Sequence, residues 1–244
     1  VYVSFDDGEG WLPLQGDLPH APAHWLTVQN HFNDLVIGTY GRGFWILDDI
    51  TAIQQMTDEV VASDVHLFEP RPQYRFLPRE GANSQPSDPA AGENPTPGAA
   101  INFYVGSQPA DGLRLEILTE GGELITALPV RNVRPGLNRV MWNLRYPPSV
   151  TPHLRTAPIG HSHRELGQVG WRPAPEGGPV RPLAIPGRYQ VRLTAGDVEM
   201  TSWLEVLQDP ESTASQADLV AQLDLQLELR EMSESNSDLI TRNE

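Results

Sequence analysis

Histidines are the residues of this chain whose spacing comes nearest to a metal-binding pattern. His161 and His163 are separated by one residue, and His153 precedes them by a few positions. Imidazole nitrogens are common zinc ligands, but a zinc site needs three or four protein ligands at suitable spacing. The chain has no cysteine, and no acidic residue stands at a spacing typical of a further ligand. The sequence therefore predicts no metal site and no cofactor.

Carboxylates are the second group that could do chemistry, because paired carboxylates catalyse glycoside hydrolysis. Asp48 and Asp49 are adjacent in the chain. On a strand, adjacent side chains point to opposite faces, so these two do not form such a pair by themselves. No Ser-His-Asp order or other nucleophile–base arrangement appears elsewhere in the sequence. The sequence therefore predicts no catalytic residues, which means that the chain is not an enzyme.

A turn pattern near the start of the chain combines Ser4, Asp6, Gly8 and Trp11. Ser and Asp side chains can bind turn amides, glycine can take a positive φ, and the Trp ring can cover the hairpin. This spacing resembles the Asp box of BNR-repeat β-propellers, a family that includes sortilin-like and photosystem stability/assembly factor-like proteins. The resemblance implies a structural role for these four residues.

Residues 34–49, DLVIGTYGRGFWILDD, form a longer pattern of two apolar strands around a Gly-Arg-Gly turn. The pattern resembles the closing motif of the last blade in the same propeller family. A phosphate loop is disfavoured, because it needs a helix after the glycines, whereas Phe44–Leu47 predicts a strand. Arg42 either lines a propeller face or pairs with Asp48 or Asp49.

A single blade cannot bury its own faces, since a propeller closes with about four blades or more. Val1 lies in mid-strand, so we expect residues upstream of it. The blade segment must therefore be covered by further blades, by the domain that follows it, or by another protein.

Short apolar runs separated by Gly and Pro predict many strands after residue 66. The runs GLNRVMWNLR at 136–145 and PGRYQVRL at 186–193 resemble the immunoglobulin/fibronectin-III-like domain that follows the propeller in the same family. We expect core positions among their apolar residues and the strand after them: Leu137, Trp142, Leu144, Tyr189, Val191, Leu193 and Trp203.

The predicted fold is thus mostly β, with a terminal propeller-blade segment, a β-sandwich and one C-terminal α-helix. Its predicted parts are the blade segment at 1–56, a linker at 57–66, the Ig/FnIII-like β-sandwich at 67–208 with a long insertion at 147–182, and the C-terminal helix and tail at 209–244.

The insertion at 147–182 is too long for an ordinary turn and carries candidate partner-binding residues. These are Arg155, Arg164, Trp171 and Arg172. Arginine is suited to carboxylates and tryptophan to anchoring an interface. The alternative is a solvated surface loop.

The C-terminal segment predicts a helix over 216–232, which contains no Gly or Pro and follows the capping pattern Ser215-x-x-Asp218. One apolar stripe holds Leu219, Val220, Leu223 and Leu227. A second stripe on the nearly opposite side holds Leu225, Leu229 and Met232, which we expect to contact a partner or, alternatively, another part of the chain. Residues 233–244 predict a frayed tail.

Composition limits the partners. The net charge is −15, which argues against nucleic acid as the main partner. The chain has no cysteine and so no disulfide, and no run approaches the roughly 20 apolar residues of a membrane span.

These features predict a non-catalytic structural or interaction subunit that binds a protein partner within a larger complex. The family resemblance implies an extracytoplasmic location, periplasmic or secreted, and association with a membrane complex such as a photosynthetic one. Two alternatives stay open, namely the accessory region of a BNR-propeller glycoside hydrolase and a carbohydrate- or peptide-binding module.

Overall fold

The computed structural model describes residues 1–14, 16–76, 92, 94–106, 112–156, 170–173 and 178–243. This part of the chain is mostly β-sheet, with one sheet curled into a half-barrel and one long helix at the C-terminal end, as the sequence predicted. The chain forms two compact units. Unit 1 comprises Val1–Asn143 and Gly187–Leu207, and unit 2 comprises Leu144–Pro186 and Gln208–Glu244.

Fifteen strands and three helices follow one another in the part of the chain that the structure describes. They are β1 (Tyr2–Val3), β2 (Leu12–Pro13), β3 (Ala23–Gln29), β4 (Asp34–Thr39), β5 (Phe44–Leu47), α1 (Thr51–Gln54), α2 (Asp58–Ala62), β6 (Val65–Leu67), β7 (Gln73–Arg75), β8 (Ala99–Val105), β9 (Leu113–Thr119), β10 (Leu124–Leu128), β11 (Gly136–Trp142), β12 (His153–Leu154), β13 (Arg172–Pro173), β14 (Gly187–Ala195), β15 (Val198–Gln208) and α3 (Gln216–Asn243).

Unit 1 begins with the β1–β2 hairpin and an antiparallel sheet in the order β3-β4-β5. Both strands predicted for the 34–49 motif are present, joined by the Gly-Arg-Gly turn. Gly41 and Gly43 have φ values of +75° and +74°. Only glycine takes this conformation without a steric cost, which explains why the turn contains two of them.

The helical connection predicted over 51–62 is also present, as α1 and α2. Thr57 Oγ1 accepts a hydrogen bond of 3.3 Å from the Val60 amide and so caps the N-terminus of α2. Ala52 of α1, Val60 of α2 and Phe68 form a small buried cluster that holds both helices against the start of the next sheet.

The rest of unit 1 consists of a three-stranded sheet in the order β11-β8-β6 and a five-stranded sheet in the order β10-β9-β14-β15-β7. Trp142 of β11 meets Tyr189 of β14 edge to face, with ring centroids 5.2 Å apart. Trp142, Tyr189, Val191 and Leu193 are buried, as is Leu144 of unit 2. These five core predictions are confirmed.

Two core predictions are wrong. Leu137 is 41% exposed, because β11 is an edge strand and Leu137 lies on its solvent side. Trp203 is 38% exposed, because the alternation of β15 turns Leu204 and Val206 inward instead. The Arg188 guanidinium lies 4.4 Å from the centroid of the Trp203 ring and partly covers it.

Unit 2 joins α3 to the 147–182 insertion and to Leu183 directly after it. Ser237 Oγ donates a hydrogen bond of 2.8 Å to the Val150 carbonyl, and the Leu183 amide donates one of 3.1 Å to Gln226 Oε1. The predicted capping box is present, because Ser215 Oγ accepts from the Asp218 amide at 3.2 Å and Asp218 Oδ2 accepts from the Ser215 amide at 2.9 Å. The hydroxyl of Ser215 also lowers the pKa of Asp218.

The frayed tail predicted at 233–244 is wrong for residues 233–243, which continue α3. Serine and asparagine are weak helix formers, and this composition suggested fraying. Tertiary packing outweighs that propensity, since Ser237 is buried and Ser233 Oγ lies 3.3 Å from Ser149 Oγ. No helix among the described residues is both long and apolar enough to cross a membrane.

Gly98 precedes β8 at a point where the backbone approaches β11 closely. Its φ is +124°, and a Cβ atom there would lie 2.2 Å from the Trp142 carbonyl oxygen. We expect Gly98→Ala to lower the free energy of unfolding by about 3 kcal/mol, because the clash and the unfavourable φ add together.

Chemical denaturation measures this loss. Gly178→Ala is the matched control, since a Cβ atom at Gly178 has no neighbour within 4 Å. Equal stability of the two variants would contradict the close approach.

Candidate interaction site

The turn predicted from Ser4, Asp6, Gly8 and Trp11 is closed by its own side chains. Ser4 Oγ accepts a hydrogen bond of 2.8 Å from the Gly8 amide, and Asp6 Oδ1 accepts one of 2.8 Å from the Gly10 amide. Trp11 Nε1 donates to the Gly8 carbonyl at 3.0 Å, and Gly8 has a φ of +96°. The Gly10 amide, and then the Ser4 hydroxyl, lower the pKa of Asp6. Ser4, Asp6 and Gly8 thus close the turn by hydrogen bonds and a positive φ, while the Trp11 ring is 60% exposed and contributes one hydrogen bond.

The chain just after β5 is fixed by a carboxylate inside unit 1. Asp49 is 4% exposed and has a φ of +53°. Asp49 Oδ1 accepts from the Thr51 amide at 3.2 Å, and the Asp49 amide donates to Asp34 Oδ1 at 2.8 Å. A buried charge is tolerated only when it is paired and hydrogen-bonded. Arg71 supplies the pairing charge, with its Nε 3.8 Å from Asp49 Oδ1.

Arg139 of β11, in the neighbouring sheet, binds the backbone beside the Asp49 carboxylate. Its guanidinium donates to the Asp48 carbonyl at 3.0 Å and to the Asp49 carbonyl at 2.7 Å. Its Nε donates to Asn102 Oδ1 at 2.8 Å, and Asn102 Nδ2 lies 3.5 Å from Asp49 Oδ2. We call Asp49, Arg71, Asn102 and Arg139 the junction cluster. Asp49 pairs with Arg71, and the role of Arg42 stays a prediction.

The β3–β4–β5 sheet turns one face to solvent. Cross-strand pairing places Trp25, Gly38 and Phe44 in one row and Thr27, Val36 and Ile46 in the next. We call these six residues the outer face. Trp25 is 74%, Phe44 83% and Ile46 59% exposed. On the opposite face, Ile37 of the central strand β4 is 2% exposed, whereas Leu26 of the edge strand β3 is 51% exposed.

Gly38 shapes the outer face. A Cβ atom there would lie 3.5 Å from Trp25 Cβ and 3.7 Å from Phe44 Cε1, so the glycine leaves a groove between the two aromatic side chains. Contiguous exposed apolar surface of this kind marks sites of interaction. The outer face can therefore receive a flat apolar surface with one projecting side chain.

A pocket of about 320 Å³ lies beside the junction cluster, lined by Phe32, Asp34, Asp48, Arg71 and Phe76 among others. Burial, and then the neighbouring charge of Asp34, raise the pKa of Asp48, and the charges of Arg139 and Arg71 partly offset the rise. A carboxyl with a raised pKa can act as a proton donor.

The candidate residues of the insertion are only partly described. Trp171 stacks on His153 with ring centroids 3.9 Å apart, and Arg172 donates to the Thr156 carbonyl at 3.1 Å. Arg155 is exposed, while Arg164 lies outside the described residues together with His161 and His163. Trp171 and Arg172 thus stabilise the β12–β13 pair, and their predicted role in partner binding stays a prediction.

The second stripe of α3 lies on the solvent side. Leu225 is 56%, Leu229 44% and Met232 55% exposed. Of the inner stripe, Leu219 and Leu223 are buried, whereas Val220 is 39% exposed and belongs to neither face.

The sequence did not single out Trp25, Asp34, Arg71, Asn102 or Arg139 as site residues. For Trp25, the alternation of the residues around it was a local signal. For Arg139 there was none, because its partners lie about 90 positions away in the chain. Within the described ranges, no group of three or more His, Asp or Glu side chains could hold a metal ion.

Comparison with known proteins gives no match: no family model, no curated protein and no solved structure is similar to this chain. The resemblance to Asp-box propellers therefore rests on the two motifs alone and stays a prediction.

The junction cluster predicts the effect of removing Arg139. We expect Arg139→Ala to lower the free energy of unfolding by about 1–3 kcal/mol, because it leaves Asn102 and two carbonyls without a charged donor. Hydrogen exchange should accelerate in β3–β5 while β9 and β14 stay protected. Arg131→Ala, at an exposed arginine near the same strand, is the control and should change neither quantity. Similar exchange in both variants would contradict a junction role.

The raised pKa of Asp48 predicts a pH-dependent effect of Asp48→Asn. The folded state favours the protonated acid, so the ionised form costs stability above the folded-state pKa. That cost disappears once the pH falls below the unfolded value of 3.8. We therefore expect the variant to melt at a higher temperature than the parent at pH 7 and at the same temperature below pH 3.8. Asp17→Asn, at an exposed position, should leave the melting temperature unchanged at both.

Proposed function

We propose that this chain is a non-catalytic interaction module that docks its outer face onto a β-sheet of a larger, extracytoplasmic assembly. The sheet belongs either to a further propeller blade or to a partner protein. The observation that carries the proposal is the exposure of Trp25, Phe44 and Ile46 on one sheet face.

The composition of the outer face supports docking. Tryptophan and other large apolar side chains at the centre of a contact supply most of the binding energy, and polar residues form the rim. Trp25 and Phe44 lie in one row with the Gly38 groove between them. Burying two such aromatic side chains contributes about 3–6 kcal/mol.

A β-sheet is the occupant that fits best. Two sheets pack face to face at about 10 Å, and their side chains interdigitate. The rows of the outer face follow the strand spacing, and the groove at Gly38 accepts one side chain of a facing strand. From the sequence, we expect the predicted blade to be covered by further blades, by the following domain or by another protein. Among the described residues of this chain, none covers the outer face.

The finer assignments belong to the same proposal. We infer an Ig/FnIII-like arrangement of the two larger sheets, supported by the Trp142–Tyr189 contact and by the two strand motifs. The extracytoplasmic location and the association with a membrane complex rest on the family resemblance alone.

Carbohydrate binding is a second candidate, favoured by one observation. Sugars stack on exposed aromatic rings, and Trp25 and Trp203 are both exposed. Binding of a defined glycan that is lost in Trp25→Ala or Trp203→Ala would favour this alternative over sheet docking.

Site-specific photo-cross-linking in the native cells tests the docking proposal. A photoreactive residue at Phe44 should give a discrete product whose partner peptide maps to an apolar β-strand, and Trp25→Ser should abolish that product. A probe at Val198, which is 51% exposed in the same unit, is the matched control. The proposal fails if the Phe44 probe yields no product beyond the Val198 probe, or if its products are spread over many proteins.

A further inference from the structure

The pocket beside the junction cluster combines hydrogen-bond acceptors with aromatic rings. Its wall includes Phe32, Asp34, Asp48, Gln73 and Phe76, all in unit 1. We call this space the acceptor pocket. Its volume of about 320 Å³ lies at the lower end of the range for small-molecule sites, which is about 300–1,000 Å³. The acceptor pocket therefore suits a small group rather than a large ligand.

Gln73 gives the acceptor pocket a buried acceptor that the fold leaves unused. The residue is 8% exposed, and its Nε2 donates to the Tyr74 carbonyl at 3.3 Å. Its Oε1 accepts no hydrogen bond from any described residue. A buried amide oxygen without a donor is costly. Because Gln73 lines the acceptor pocket, a donor bound there would remove that cost.

Negative charge also exceeds positive charge around the acceptor pocket. Three carboxylates, those of Asp34, Asp48 and Asp49, lie near two guanidinium groups, so one negative charge stays unbalanced. The Asp48 carboxylate accepts no hydrogen bond from a described residue. Its pKa is raised by burial and then by Asp34, although Arg139 and Arg71 oppose the rise. A further cation beside Asp48 would therefore be stabilised.

The two arginines are already engaged elsewhere. Arg71 Nη1 donates to the Pro72 carbonyl at 3.1 Å, and its Nε lies 3.8 Å from Asp49 Oδ1. Arg139 donates to Asn102 Oδ1 and to two backbone carbonyls. The chain has no lysine. An ammonium group in the acceptor pocket would therefore not belong to a side chain of this protein.

We propose that the acceptor pocket binds an alkylammonium group, with the ammonium on Asp48 and Gln73 Oε1 and its methylene chain against the rings of Phe32 and Phe76. An ammonium has three donors and no acceptor, which matches a wall of acceptors. Aromatic rings attract a cation within about 6 Å of their centroids. This inference goes beyond sheet docking and does not rest on it, because it needs no partner at the outer face.

A metal ion fits the acceptor pocket less well than an organic cation. Hard cations take several oxygen ligands and favour carboxylates and water. Among the described residues, no group of three or more His, Asp or Glu side chains could hold a metal ion. Phe32, Phe76, Pro95 and Pro97 make much of the wall apolar, which suits methylene groups instead.

NMR titration of the full chain with n-butylammonium chloride at constant ionic strength tests the proposal. The amide shifts should saturate and centre on the wall of the acceptor pocket. The uncharged analogue 1-butanol should bind at least about tenfold more weakly, because it loses the charge-assisted hydrogen bonds. Asp48→Asn should weaken n-butylammonium binding by a similar factor. This variant is expected to fold, since it removes the cost of the Asp48 charge.

Two further variants separate a built site from general attraction to an acidic protein. Asp17→Asn removes the same charge at an exposed position and should leave the dissociation constant unchanged. Gln73→Met removes the buried acceptor at similar side-chain length and should weaken binding about threefold or more. The proposal is overturned if the shifts do not saturate or if 1-butanol binds as tightly. Equal weakening by Asp17→Asn and Asp48→Asn also overturns it.

The same ammonium chemistry is found in a free alkylamine and in a lysine side chain of another protein. Lysine blocked as its Nα-acetyl, N-methylamide derivative distinguishes the two sources. Binding within about threefold of n-butylammonium supports a protein side chain as the ligand, because the backbone then fits at the mouth of the acceptor pocket. Binding at least about tenfold weaker supports a free amine.

Discussion

The position of the β3–β4–β5 sheet in unit 1 depends on one buried charge. Asp49 lies two residues after the end of β5 in a left-handed conformation, and it is 4% exposed. Arg71 balances the charge, while Asn102 and Arg139 hold the surrounding polar groups from β8 and β11. A buried carboxylate without these partners would cost several kcal/mol. The complete cluster therefore holds the β3–β4–β5 sheet against the β11–β8–β6 sheet.

Local motifs were predictable from the sequence, and long-range pairings were not. The Ser4–Trp11 turn, the Gly-Arg-Gly turn and the Ser215 cap are closed by bonds that span a few residues, so residue types and spacing are sufficient to predict them. Arg139 meets Asp49 across 90 positions, and no periodicity encodes that contact.

The same distinction explains the errors in burial. Alternation assigns residues of a strand to two faces, but tertiary packing decides which face is inside. Trp203 is large and apolar, yet its neighbours Leu204 and Val206 face inward. The end of α3 shows the converse, because contacts of Ser233 and Ser237 with residues 149–150 keep a serine-rich segment helical against its propensity.

The exposed outer face has a consequence for the colloidal behaviour of the isolated chain. Large uncovered side chains such as Trp25 and Phe44 favour self-association in solution, whereas the net charge of −15 opposes it by mutual repulsion between molecules. Because salt screens that repulsion, the solubility of the isolated chain depends on ionic strength for as long as the outer face stays uncovered.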